Sequence, residues 1–491
     1  MPEQVWRALT RRTRAHISEP AALFAALYGD CSTAVWLDSA RRAYGMGRWS
    51  IMGAPETTHD HALEATPRGI RIDGRETGDA DVWGALAARI EEHPVDTIDD
   101  LPFAGGYIGY VGYDAKTLGA RPAPDEPAAQ LVHLSRFVVL DHDTDELIVV
   151  AVGPDEDAPD AETWLDETLA VACGARGSGC RAGVVVDGAL SASRDGAPDA
   201  GGVVGAAGSG TGAARASVTR EQYLSDLGEV STWLYAGDSY EACYTYNLRF
   251  GFSGDAFAVY RKLREANPAP NAAYLRLPGR EVLSCSPERY LRVDPQGAAE
   301  TKPIKGTVRR ETDPDADARA ASELAADPKT RAENLMIVDL LRNDLGRIAQ
   351  PGTVDVPTFM MVESYETVHQ LVTTVRAQLR PRNAAGVRAA EALFPPGSMT
   401  GAPKRRSVEL LDELEAEPRG VYSGVLGAFS RCGAVDLSVV IRTAVVADGE
   451  VTIGTGGAIT IDSHPEAEAE ETVAKADALL RAFGVEHPFV R

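Results

Sequence analysis

No run of 18 or more apolar residues occurs anywhere in the 491-residue chain, so no stretch is long enough to cross a bilayer as a helix. Arg7, Arg11 and Arg12 give the amino terminus positive charge, but no apolar core follows them, and no signal peptide is read there. Cysteine is scarce. Cys31, Cys173, Cys180, Cys243, Cys285 and Cys432 include no C-x-x-C pair, and their spacing matches neither a zinc site nor a disulfide framework. A reducing cytoplasm is the expected compartment. Positive charge is also short, with 49 Lys and Arg against 72 Asp and Glu and a formal net charge of -23. That balance argues against nucleic acid and against an anionic membrane as partners. It leaves room for a small anionic substrate, because a local cluster of Arg and Lys opposes the global field. The G-K-[ST] ending of a nucleotide P-loop is missing from both glycine-bearing loops, 208–212 and 397–404.

What is present is 44% hydrophobic, enough for a sizeable core. Residues 1–175 read as a mixed α/β region. Within it, 32–39 has strand character, 105–112 is rich in glycine and aromatics as tightly packed strands are, and 137–140 with 147–152 flank a hairpin turn. No catalytic constellation is evident there; His133 and His142 read as structural. Residues 176–217 change character to Gly, Ala, Ser and Asp, the composition of a linker or long surface loop. Pattern becomes dense over 218–491. A helix is expected over 219–235, and a strand over 238–250 with Glu241 near its start. Asp327-Pro328 opens a helix in which Leu335, Val338, Leu341, Leu345 and Ile348 recur at helical spacing. Glu333 lies toward the end of that helix where the dipole favours an anion, which by itself accounts for it. Strands are expected over 364–375 with His369, over 421–429, over 437–446 and over 451–461, with a tight turn at Asp448-Gly449. On the third of these, Arg442 would share a face with Val440 and Ala444. An arginine among apolar neighbours implies a carboxylate partner, from the protein or, as favoured here, from a ligand.

The stretch Lys302-Pro303-Ile304-Lys305-Gly306-Thr307 carries the most chemistry. Two lysines on a surface turn would be unremarkable. A lysine whose ammonium is desolvated, or set beside another cation, is a nucleophile, and Lys305 is read that way. Ser286-Pro287-Glu288-Arg289 precedes it. The last helix is read as starting at Ser463, with Glu466 completing a capping box. At roughly 100° per residue Glu468, Glu471 and Lys475 fall within about 60° of one another, beside the apolar Val473, Ala476, Leu480 and Phe483. An acidic first turn alone would satisfy the dipole, which explains Glu466 better than Glu471. Oxygen-only ligands from two helices, Glu333 with Glu468 and Glu471, fit Mg²⁺ better than zinc.

Taken with 237–241, 333–344, 364–369, 397–404, 441–443 and 465–472, these motifs run in the order found in the chorismate-utilising enzymes, which the chain resembles over about residues 218–480. The amino-terminal half is similar only loosely, through the strand at 36–39. The resemblance implies an α+β fold in which antiparallel β-sheets pack face to face with helices outside, the amino-terminal part being intertwined with the core. It implies Mg²⁺ bridging Glu333 and Glu471 to the ring carboxylate of chorismate, with Glu468 in support. Arg442 and Tyr422 would hold the pyruvyl carboxylate. Ser398, Gly456, Gly457 and Thr307 would border the substrate, and Lys475 would support the anion site. Thr330 stands where many relatives have a second acid, and no role is given to it.

Two positions separate the branches of this family. Anthranilate synthases carry Ala where Lys305 stands. The water-adding isochorismate and salicylate synthases carry a lysine where this chain has Glu241. The combination is similar to the aminodeoxychorismate synthase branch. There, Lys305 would attack ring carbon 2 while Glu288, as general acid, assists departure of the 4-hydroxyl; ammonia would then add at carbon 4 and expel the lysine. Glu241 and His369 are counted among the catalytic residues with roles left open. No cysteine sits in a Gly-x-Cys-x-Gly elbow, so a separate glutamine amidotransferase subunit is expected to supply the ammonia. Amination at carbon 2 and a non-catalytic scaffold are the competing readings; the latter would have let the acids at 288, 333, 468 and 471 erode.

Overall fold

In the strand Ala34–Asp38 every second side chain takes a different neighbour. Val35 is buried against residues of a second sheet, whereas Ala34 and Trp36 pack under helices. This period of two, repeated along many strands, is what divides the interior into layers. The computed structural model describes residues 6–42, 44–79, 81–115, 126–174, 209–366, 368–382 and 384–490. Two antiparallel sheets of 12 strands each face one another across a core that includes Val35, Phe137, Val150, Leu275 and Val282 from one sheet and Ile108, Tyr110, Leu134 and Leu426 from the other. Helices Pro20–Tyr28, Ala158–Ala172, Arg220–Ala236, Ala256–Ala266 and Pro465–Phe483 cover the outside of the first sheet. Helices Val82–Glu92, Pro328–Ile348 and Ala385–Leu393 cover the outside of the second. The fold is therefore α+β, and among the described residues no helix is long and apolar enough to cross a membrane.

Sequence order and spatial order part company. The first sheet runs Trp6–Arg14, Glu146–Pro154, Arg136–Asp141, Trp49–Gly53, Ala34–Asp38, Asn271–Leu277, Arg280–Ser286, Thr443–Ala447, Glu450–Ile459, Glu241–Ser253 and Ser209–Ala216, with Gly401–Ala402 beside the start of Glu241–Ser253. In the second sheet Gly106–Val111, from the amino-terminal part, pairs with Val425–Ser430 from the carboxy-terminal part. Both sheets are thus shared between distant parts of the chain. Gly106 permits that second junction, since a Cβ there would lie 2.3 Å from the Phe429 carbonyl oxygen.

Several local expectations need correction. Leu335 points to solvent, with 54% of its surface exposed; its helix buries Ile337, Val338, Leu341 and Leu345 instead. The expected strand over 364–375 is the junction of two paired strands, Asp355–Ser364 and Val368–Gln378. The strand expected over 421–429 begins at Val425, after a turn. The expected strand over 437–446 is two strands in different sheets, Val435–Val439 and Thr443–Ala447. Arg442, with φ of 52°, lies where the chain passes from one sheet to the other, so it shares no strand face with Val440 and Ala444. The final helix starts at Pro465 with His464 as its cap residue; the Ser463 hydroxyl accepts from the Thr460 amide, and no capping box forms. Of the segment read as a linker, 176–208 falls outside the described residues, while Ser209–Ala216 pairs with Glu241–Ser253.

Candidate active site

Thr219 caps the helix Arg220–Ala236, and Gly237 ends it in the left-handed region, as turn chemistry requires. The chain then enters the strand Glu241–Ser253 at Glu241 itself. The backbone of Glu241 is fixed there by pairing with Ala402, and Gly401 permits the approach, because a Cβ would lie 2.0 Å from the Glu241 carbonyl oxygen. A buried arginine clamps the arrangement from behind. Arg419 donates to the Met399 and Cys243 carbonyls at 2.6 and 2.7 Å and pairs with Glu415, which in turn accepts from the Thr245 amide.

Lys305 reaches this point from the strand Ile304–Arg309. Gly306, with φ of 76°, makes a register shift there, so that Lys305 pairs with Leu371 and Thr307 with Gln370. The Lys305 ammonium donates to Glu241 Oε1 at 2.5 Å, with the two side chains only 8% and 1% exposed. Burial acts to lower the lysine pKa, but Glu241 and the field of Glu333 outweigh it and hold the ammonium well above the ordinary lysine value. The expectation of a lysine left uncharged by its surroundings is therefore corrected: with Glu241 against it, the ammonium form is the one favoured. Lys302, at the end of the preceding strand Ala298–Lys302, is buried against Glu363 at 2.8 Å, and Tyr365 donates to the same carboxylate. That pair locks the turn between the strands Asp355–Ser364 and Val368–Gln378.

Glu288 lies ahead of the strand Arg289–Val293, where Ser286 Oγ donates to the Val439 carbonyl and receives the Glu288 amide. Burial pushes the Glu288 carboxyl up to about 7, with a hydrogen bond from Ser398 and the field of Lys305 pulling against it. Ser398, Glu288, Lys305 and Glu241 thus form one cluster. The 397–404 loop that brings Ser398 is anchored by Lys404, which bonds Asp344 and the Leu393 carbonyl.

Helices supply the acids. Glu333 projects from Pro328–Ile348, its pKa raised by burial and by Glu241 and Glu471 against the opposing effect of Lys305 and Lys329. Glu468, 2% exposed, pairs with Lys329 at 2.6 Å, and Lys329 Nζ is 3.7 Å from Glu333. Glu471 pairs with Lys475 at 2.6 Å, and Lys475 also donates to the Gly456 carbonyl. A Cβ on Gly457 would stand 3.2 Å from Glu468 and 4.0 Å from Lys475 Nζ, so both glycines abut the acidic helix. Among the described residues no group of three or more His, Cys, Asp or Glu side chains is gathered as a metal site. The donor set nonetheless fits a hard divalent cation. Its atoms are carboxylate oxygens, Glu471 is half exposed toward solvent, and one cation, Lys329, already stands between Glu468 and Glu333. Lys329 was not singled out from the sequence; its spacing of four from Glu333 was the available signal.

Arg442 is largely buried, and burial lowers its pKa while Tyr422 and Glu471 raise it. Its guanidinium makes no hydrogen bond or ion pair among the described residues, unlike Arg419 or Arg431. Tyr422 packs over Gly454, where a Cβ would fall 2.1 Å from the ring. Two expected residues stand apart from the cluster. Thr307 is exposed and receives a hydrogen bond from Gln370 at 3.3 Å. His369 is buried, but its two ring nitrogens are engaged by Ser364 at 2.8 Å and Asp317 at 3.0 Å. Asp317 is itself bound by Arg310, so the histidine ties a strand to the helix Pro314–Ala326.

A protein-family model described as "chorismate binding enzyme" matches residues 47–481, and the chain belongs to that family. Aminodeoxychorismate synthase of Streptomyces pristinaespiralis is 39% identical, the match covering 96% of this chain and 66% of that protein. This chain therefore spans slightly less than two thirds of that relative's length. Anthranilate synthase component 1 of Pseudomonas aeruginosa is 33% identical over 97% of this chain and 95% of its own length. The crystal structure of anthranilate synthase component I from Streptococcus pneumoniae superposes with a TM-score of 0.72 at 26% identity, covering 89% of this chain and 93% of that one. The two-sheet architecture is the anthranilate synthase component I-like fold.

Proposed function

We propose that this chain is the chorismate-converting component of an aminodeoxychorismate synthase, replacing the 4-hydroxyl of chorismate with an amino group through a covalent adduct on Lys305. The observation that carries this reading is the buried Lys305, set between Glu241 and Glu288. Glu288, with its carboxyl raised to about 7, is half protonated at neutral pH and suited to give a proton to the departing 4-hydroxyl. Arg442 has no carboxylate partner among the described residues and would receive the pyruvyl carboxylate of the substrate, with Tyr422 beside it. Ser398, Gly456 and Gly457 border the same space, and Lys475 adds positive charge. Glu333 and Glu471, with Glu468 in support, would hold Mg²⁺, which when bound offsets the charge of the ring carboxylate and draws electron density from the ring. Thr307 and His369 are structural supports in this account.

Ammonia comes from a separate glutamine amidotransferase subunit or from ammonium salts. A cytoplasmic location and an absence of nucleic-acid and membrane partners complete the proposal; Cys31, Cys243, Cys285 and Cys432 form no disulfide among the described residues, and the chain is strongly acidic. The test is incubation with chorismate, Mg²⁺ and ammonium, with product identified by mass and by whether a separate lyase is needed to release 4-aminobenzoate. Lys305→Ala is expected to lose nearly all 4-aminated product while remaining folded, with a lower melting temperature because Glu241 loses its buried partner. Full retention of that product by the variant would remove covalent catalysis. A ring aminated at carbon 2 would instead assign the chain to the reaction named for the Pseudomonas relative.

A further inference from the structure

Building on the reading of Lys305 as nucleophile, we infer that Glu241 is a catalytic residue that takes the Lys305 proton as the amine attacks and returns it as the amine leaves. The geometry carries this. A lysine that bears its proton has no lone pair to give, and Lys305 is enclosed where bulk water does not collect that proton. Among the described residues Glu241 Oε1 is the one atom accepting from Nζ, at 2.5 Å. The other oxygen, Oε2, is buried with no hydrogen-bond partner among those residues. A buried carboxylate held only by the lysine it faces is poorly explained as packing, because an unpaired buried acceptor carries an appreciable desolvation cost.

The other charged groups facing Lys305 do not fill this role. Glu333, on Pro328–Ile348, and Glu471, on Pro465–Phe483, act through their field, and both belong to the acidic set around Lys329 and Lys475. Cys243, two residues along the strand, is a buried thiol. Glu288 is committed to the leaving hydroxyl. The protons then balance. In the first half, the Lys305 ammonium passes a proton to Glu241; the free amine forms a bond to carbon 2, the ring double bonds shift, and the carbon–oxygen bond at carbon 4 breaks. Glu288 protonates the departing hydroxyl, which leaves as water. The adduct is a secondary ammonium on carbon 2, facing a neutral Glu241. In the second half, ammonia bonds to carbon 4, the double bonds shift back, and the bond from carbon 2 to nitrogen breaks. Lys305 leaves as a neutral amine and recovers its proton from Glu241, while the new ammonium at carbon 4 reprotonates Glu288. The sum is chorismate and ammonia to the 4-amino compound and water.

The experiment is a pH profile of kcat/KM for chorismate with saturating ammonia, between pH 5.5 and 10, for wild type, Glu241→Gln and Glu241→Asp. In wild type the Lys305–Glu241 pair exchanges its proton internally and adds no ionisation to the profile. In Glu241→Gln the proton must go to solvent, which adds a factor rising about tenfold per pH unit until Lys305 is neutral, so the profile rises up to about pH 7 and above that stays level where the wild type falls as Glu288 ionises. Glu241→Asp keeps a carboxylate and is expected to retain the wild-type shape at a lower rate. A Glu241→Gln profile that superimposes in shape on the wild type overturns the relay. If Glu241→Gln does not fold, the aspartate variant decides: a rising limb there overturns the relay, and the wild-type shape supports it. Wild type that makes no 4-aminated product with ammonium fails at the earlier step and removes the proposed function, a result distinct from any change in profile shape.

Discussion

Glu288 shows how little of a side chain's chemistry is visible in its letter. An ordinary glutamate is ionised at neutral pH; this one is lifted to about 7 by burial, with Ser398 and Lys305 limiting the rise. As a general acid it works only while protonated, so activity should fall as pH rises through about 7. Glu288→Gln keeps the shape but has no proton to give. Its kcat is expected to drop by about 10²–10⁴-fold and to lose that alkaline limb, measured as initial rates across pH with ammonia in excess. A variant that keeps the limb would place the ionisation on another group. At this scale the sequence showed which residue types were present but not their protonation. Lys305 was legible as the centre of the site; that it carries its proton followed only once Glu241 was seen 2.5 Å away. The surroundings of His369 were hidden for the opposite reason. Its partners, Ser364 and Asp317, are brought to it by a strand turn and by a helix some fifty residues earlier, which local pattern does not reveal.

Elements were legible wherever their ends carry chemistry of their own. Thr219 with Gly237, and Asp327 with Pro328, bound their helices where cap preferences place them, and Asp448-Gly449 turns the hairpin between Thr443–Ala447 and Glu450–Ile459. What failed was telling one strand from two. Apolar residues continue through Val439, Val440 and Ile441 with no Gly or Pro to mark a strand end, although the chain changes sheets there and Arg442 takes a positive φ. A period of two records burial on alternate faces and is blind to which sheet does the burying. The strand Glu450–Ile459 carries a further prediction. Gly454 leaves room for the Tyr422 ring, and a methyl group at that position has no space. Gly454→Ala should push Tyr422 toward Arg442, raise KM for chorismate more than it lowers kcat, and cost about 1–3 kcal/mol of stability by urea denaturation. An unchanged KM would show that Tyr422 does not border the substrate.

Across the whole molecule the two sheets leave no natural cut. Val35 from the amino-terminal part faces Leu426 from the carboxy-terminal part in the central core, and Asn271–Leu277 pairs directly with Ala34–Asp38. We propose that residues 1–175 and 218–491 unfold together, as one cooperative unit. Calorimetry of the full chain should give a single transition whose calorimetric and van't Hoff enthalpies agree. Two resolved transitions would mean that each part keeps a core of its own. The mix of extended and helical pattern in the sequence was enough to expect sheets with helices outside. It was not enough to order the strands, because the partners of a strand such as Ala34–Asp38 lie more than two hundred residues away on one side.

The place of Thr443–Ala447 and Glu450–Ile459 has a consequence for how the protein is made. This hairpin is made after both of the strands it separates, Arg280–Ser286 and Glu241–Ser253, so the first sheet has a gap in its middle until the chain has been synthesised past Ile459. Strands already made on either side of that gap present open edges while the whole stretch from Ser286 to Thr443 is being added. Until the hairpin fills that gap, the open edges on either side of it are free to pair with other chains.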